Sequence, residues 1–136
     1  MRYIRFRGKI KDNGEWVKGS YVYAHKWYGS GAAGHFITSI YGDRRVEIDP
    51  DTLGQYTGLD DKNGVGIYEG DIIQGFLSYT KEDRAFIKYE EESMGFVPVP
   101  AFDEMSGRIF EVQNSKDIEV IGNIYDNPEL LEGDKQ

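Results

Sequence analysis

The chain contains no cysteine. That removes disulfides, thiolate zinc sites and cysteine nucleophiles together, and it is compatible with a reducing compartment. Proline is scarce, with four in 136 residues, and histidine and tryptophan number two each. No apolar stretch approaches the roughly 20 residues of a membrane helix, and Met1-Arg2-Tyr3-Ile4-Arg5 has no signal-peptide core. There is no phosphate-binding Gly-Lys-Ser/Thr run, no G-x-S-x-G elbow and no dinucleotide fingerprint. His25 and His35 lie ten residues apart across a glycine-rich stretch, with no companions at metal-ligand spacing. Zinc needs three or four ligands, so exposed loop or strand histidines are the better reading. The expectation is a protein with no metal, no cofactor and no enzymatic activity.

What is present favours β structure. Glycine occurs 17 times, tyrosine ten and phenylalanine seven, and aromatics reach 14% while hydrophobic residues stop at 39%. Such a chain reads as turn-rich and mainly β. Its length suits one domain or two small subdomains, and roughly two-thirds of the unfolded surface can be buried without a staple.

The net charge of −8 argues against general affinity for nucleic acid or an anionic membrane. Yet residues 1–45 hold nine Lys/Arg against three Asp/Glu, a net of +6, and residues 46–136 hold seven against 21, a net of −14. Oppositely charged parts lying against each other, or against neighbouring subunits, are the simpler explanation. A basic face that docks nucleic acid or an acidic protein is the sharper one.

Ile4, Phe6, Gly8 and Ile10 alternate with Arg5, Arg7, Lys9 and Lys11, which predicts a strand with one apolar and one basic, solvated face. Asp12-Asn13-Gly14-Glu15 supplies a hairpin turn into a returning strand over 16–23. Further strands are expected at 36–41, at 46–48 ended by Asp49-Pro50, and at 72–77, 84–89, 94–100, 108–112 and 118–125. Pro98 and Pro100 mark the 94–100 strand as an edge. Helix is limited to single turns near Ala101–Met105 and from Asn127-Pro128-Glu129, with a frayed tail from Glu132. Asp60-Asp61-Lys62-Asn63-Gly64 superficially suggests a calcium loop, but Val65 and Ile72 fall where ligands belong, so an acidic hairpin turn is preferred.

Three blocks together resemble the YopX-like family of bacteriophage and prophage proteins. They are Phe6-Arg7-Gly8-Lys9 with Gly14–Gly19, the run from Asp49 through Gly64 continuing Ile67-Tyr68-Glu69-Gly70-Asp71-Ile72, and Val120–Leu131. Asp60 and Gly66 depart from the family's usual residues at those positions. The family's structural positions fall on Gln55, Tyr56, Thr57, Gly58, Asp61, Gly64, Tyr68, Glu69, Gly70, Asp71, Gly122 and Asn123. The resemblance implies a mainly β protein with little helix: an N-terminal β-hairpin region over 1–58, an SH3-type small barrel over 59–127, and a C-terminal turn and tail over 128–136. Gln55–Gly58 would connect the two parts, and Glu69–Ile73 would lead into the barrel's first strand. The resemblance brings no catalytic residue with it.

The function expected is therefore a non-catalytic β module of phage type, cytoplasmic in a bacterial host. It would act through protein–protein contacts, as a homo-oligomer and as a partner of phage or host proteins, and not at a membrane. One alternative is nucleic-acid binding through Arg5, Arg7, Lys9 and Lys11, with Trp16 or Trp27 for stacking. Another is acidic mimicry of nucleic acid, occupying a basic host protein.

Overall fold

A computed structural model describes residues 3–25, 33–42, 44–75, 84–101 and 115–132. The protein is mainly β. Nine strands form two antiparallel sheets among the described residues, and the helical structure there is limited to two 3₁₀ turns, Ser115–Asp117 and Pro128–Leu131. The chain divides into two units, Met1–Tyr56 and Thr57–Gln136. Strands expected at 108–112, the Trp27 side chain and the turn beyond Ala101 lie outside the described residues.

The first unit is built from β1 (Phe6–Ile10), β2 (Trp16–Ala24), β3 (Gly34–Ser39) and the first part of β4 (Arg45–Asp60). Each strand pairs with the next, and β1 also pairs with β4, so the hydrogen-bonded circuit closes on itself. The Asn-Gly signal acts as expected: Gly14 takes φ +72, and Ile10 N–H donates to the Glu15 carbonyl at 2.8 Å. Inside the circuit lie Ile37 and Ile48. Gly8 sits directly over them, where a Cβ would come 2.8 Å from Ile48 Cδ1. Gly19 is tighter still, because a Cβ there would run into the Thr38 carbonyl.

Asp49-Pro50 does not end a strand. β4 continues through it to Asp60, and the proline is accommodated by a wide bulge. Arg7 pairs with Gly54 and Lys9 with Asp49, so Pro50-Asp51-Thr52-Leu53 all stand opposite the single residue Gly8. Pro50 can offer no ladder donor. Nearby, the buried Thr52 hydroxyl accepts from Lys9 N–H at 2.8 Å and donates to the Asp49 carbonyl at 2.6 Å, replacing a backbone rung. Gln55–Gly58 is likewise strand, and the division between the two units falls within it, after Tyr56, so the connection expected there is continuous β4.

The second unit contains the end of β4, then β5 (Gly66–Tyr68), β6 (Asp71–Gln74), β7 (Ala85–Glu90), β8 (Gly95–Pro100) and β9 (Glu119–Asn123). The last four form a sheet in the order β8-β7-β6-β9. Ile67, Ile73, Ala85, Ile87 and Ile118 make its core, with Phe96 and Val120 packed beside them. Ala101 N–H donates to the Arg84 carbonyl. Alternation along β8 then aims the nitrogens of Pro98 and Pro100 away from β7, so both prolines fit an edge position. Pro128 opens the last 3₁₀ turn, and Arg84 Nη1 reaches the Leu130 carbonyl at 3.2 Å.

Candidate functional site

The predicted basic strand is β1, and its alternation is visible in what each side chain touches. Phe6 and Gly8 face the interior, Phe6 lying 5.6 Å from the Tyr21 ring. Arg5, Arg7, Lys9 and Lys11 take the other face. Register places Lys9 opposite Trp16 on β2 and opposite Asp49 on β4, so that face gathers side chains from three strands. Arg7 lies 4.7 Å and Lys9 5.5 Å from the centroid of the same Trp16 ring. Arg5 lies 5.6 Å from the Tyr56 ring. Further along, Arg45 covers Phe36 at 4.7 Å. Contacts of this kind contribute about 0.5–1 kcal/mol where exposed and about 2 where desolvated.

Arg7 corrects the expectation of a uniformly solvated face, since only 8% of it is exposed. The cause is its position: β1 is flanked by β2 and β4, and the Trp16 ring closes over the guanidinium. Arg5 and Lys9 are half-buried and Lys11 is exposed. Lys11 pairs with Glu47 at 3.6 Å, an exposed contact contributing under about 1 kcal/mol. Beside this strand a shallow groove of about 390 Å³ is lined by Lys9, Ile10, Lys11, Gly14, Asp49 and Pro50. It lies between the hairpin tip and the β4 bulge. Sequence reasoning missed Tyr56, Phe36 and Arg45 as members of this face. The four-residue bulge shifts the register of β4 beyond it, which hides Tyr56 from any simple alternation count. Phe36 and Arg45 meet only through the pairing of β3 with β4, which alternation within one strand does not reveal.

The remaining motif positions hold the second unit's turns. Asp61 is fully buried, its Oδ1 accepting from Asn63 and Val65 N–H at 2.8 and 2.9 Å and its Oδ2 from Val120 N–H at 2.9 Å. Burial alone would push its carboxyl up, but those three donors, assisted by Lys116, hold it below the ordinary value. Both oxygens thus face N–H groups, which explains the turn better than a calcium loop does. Asp60 and Gly66 flank this turn as the last residue of β4 and the first of β5. Thr57 Oγ1 accepts from Leu59 N–H at 3.2 Å, and Gly58, Gly64 and Gly70 take φ of +92, +79 and +88. Buried Asp71 accepts from Tyr68 N–H at 2.7 Å across the turn containing Glu69 and Gly70, and Tyr68 is itself buried. Asn123 Oδ1 accepts from Tyr125 and Asp126 N–H, while Asn127 Oδ1 occupies the space a Cβ on Gly122 would need.

His25 and His35 are not isolated. Tyr23 lies 4.6 Å from one ring and 4.8 Å from the other, and Tyr21 OH is 2.6 Å from His35 Nδ1. Among the described residues no three His, Asp or Glu side chains converge as metal ligands, and no helix there is long and apolar enough to cross a membrane.

These features define a mainly β protein with a cationic, aromatic-backed strand face in one unit and turns pinned by buried carboxylates in the other. The chain belongs to the YopX protein family, which matches residues 5–132. A solved structure similar to it is protein EF1440 from Enterococcus faecalis, 25% identical, with a TM-score of 0.56 and coverage of 97% of this chain and 100% of that one. A search of curated proteins gave no match.

Proposed function

We propose that the chain is a non-catalytic, phage-type adaptor that works in the bacterial cytoplasm through protein–protein contacts and associates with itself. One observation carries the reading: charge is divided between the two units. Met1–Tyr56 holds nine Lys/Arg against six Asp/Glu, a net of +3, and Thr57–Gln136 holds seven against 18, a net of −11. Within the first unit the cations are concentrated on one strand face and ordered by aromatic rings. The non-catalytic part of the reading is supported by Asp61 and Asp71, buried carboxylates that are both engaged by backbone N–H groups. In this reading the second unit, with its short antiparallel strands and glycine turns, serves as an SH3-type barrel. Sedimentation across a salt series from about 0.05 to 0.5 M, over which screening shortens severalfold, is the test. Association that weakens with salt is expected; a strict monomer at low salt overturns it.

A second reading, single-stranded nucleic acid on the same face, is favoured by the Arg7 and Lys9 contacts to Trp16. Mobility shifts at low salt that respond to Arg5→Ala and Trp16→Ala would support it, and no complex at low salt removes it. Acidic mimicry by the second unit instead predicts capture of basic nucleic-acid-binding proteins.

A further inference from the structure

The cationic face and the β7–β8 turn are chemical complements. The turn carries Glu90, Glu91 and Glu92 and ends on Met94, which is 83% exposed and has a φ of +54. It is the one non-glycine residue with positive φ among the described residues. A long apolar side chain is a poor choice there, since asparagine or glycine fits that backbone better and an exposed methionine gains nothing from the fold. The tip is nonetheless well braced. Met94 N–H donates to the Glu91 carbonyl at 3.1 Å, and Tyr89 and Phe96 meet edge to face at 5.5 Å at its base. Tyr89 is exposed as well, so the knob combines carboxylates with apolar surface. The β1 face offers the converse: arginine and lysine around the Trp16 ring, with a groove alongside. Thioether–aromatic contact is favourable, and carboxylates suit a rim of cations.

The geometry points to this face as the seat for the β7–β8 turn of a second copy, with Met94 directed to the Trp16 platform and Glu90–Glu92 to Arg5, Lys9, Lys11 and the exposed Lys18, which stands on β2 opposite Arg7. The inference rests on the self-association reading and names its surfaces. Such a contact uses different patches on the two copies, so association is head to tail.

The test uses sedimentation of the full chain at low salt. Glu91→Lys with Glu92→Lys, and separately Lys11→Glu with Lys18→Glu, should each abolish association. All four side chains are exposed, Lys11→Glu gives up only the exposed contact to Glu47, and an unchanged circular dichroism spectrum checks that each variant is folded. An equimolar mixture of the two variants should recover a one-to-one complex, since one intact face and one intact turn remain. Met94→Asn should weaken association roughly tenfold while raising the melting temperature, a combination that a purely structural methionine would not produce. Association unchanged in the variants, or a mixture that stays monomeric, overturns these surfaces and leaves self-association standing. A wild-type chain that is monomeric at low salt overturns self-association itself.

Discussion

Replacing Asp61 with asparagine tests whether one buried carboxylate holds the second unit's first turn. The wild-type group accepts three backbone N–H bonds, two on Oδ1 and one on Oδ2. Asparagine keeps one acceptor oxygen, so its amide N–H₂ must confront at least the Val120 donor. Losing one charge-assisted bond and leaving one buried N–H unsatisfied predicts a loss of about 2–4 kcal/mol. For a chain of this size that lowers the melting temperature by roughly 8–15 °C. Because the carboxyl titrates below its ordinary 3.8 in the folded protein, its contribution is complete above that value. It is lost as pH falls through the lower folded-state value. Urea denaturation from pH 7 down to about 2.5 should therefore show a constant gap between the two proteins above pH ~5 that closes on acidification. A gap of under about 0.5 kcal/mol at pH 7, or one equally wide in acid, refutes the role assigned to the carboxylate.

Three smaller perturbations probe the other devices. Thr52→Val keeps shape but removes the hydroxyl serving Lys9 N–H, and should destabilise the first unit by about 1–3 kcal/mol in urea denaturation. Gly19→Ala forces a Cβ onto the Thr38 carbonyl, a backbone atom that cannot step aside, so a loss of about 3 kcal/mol or failure to fold is expected; near-neutral stability by the same assay contradicts the packing described. Asn123→Ala removes the acceptor for Tyr125 and Asp126 N–H and should lower stability by about 1–2 kcal/mol, with faster amide exchange confined to 123–127 as the local signature.

Local chemistry made much of the fold legible. The Asn13-Gly14 turn, the alternating β1 strand, the Pro98/Pro100 strand at the edge of its sheet among the described residues, and Pro128 at the start of a turn all follow from residue-level preferences, and each appears where its residues demand. Asp49-Pro50 misled because proline normally closes a strand, whereas here a tertiary contact, the Thr52 hydroxyl on Lys9, sustains the sheet across it. Arg7 misled for a related reason. Alternation states which face a residue takes, but its burial depends on how two neighbouring strands and a tryptophan ring crowd that face. The charge division was legible in outline, and its boundary was not: placing it at Tyr56 moves Glu47, Asp49 and Asp51 into the basic unit and reduces that unit's excess.

The two prolines of β8 bear on how copies of this protein can meet. An open strand edge is an invitation to aggregate through main-chain pairing, a mode that tolerates salt and tends to become irreversible. Pro98 and Pro100 remove two successive outward donors from that edge. In the contact proposed through the neighbouring turn, main-chain pairing along this edge is thereby weakened, which would leave the larger share to side chains that salt and single substitutions can adjust.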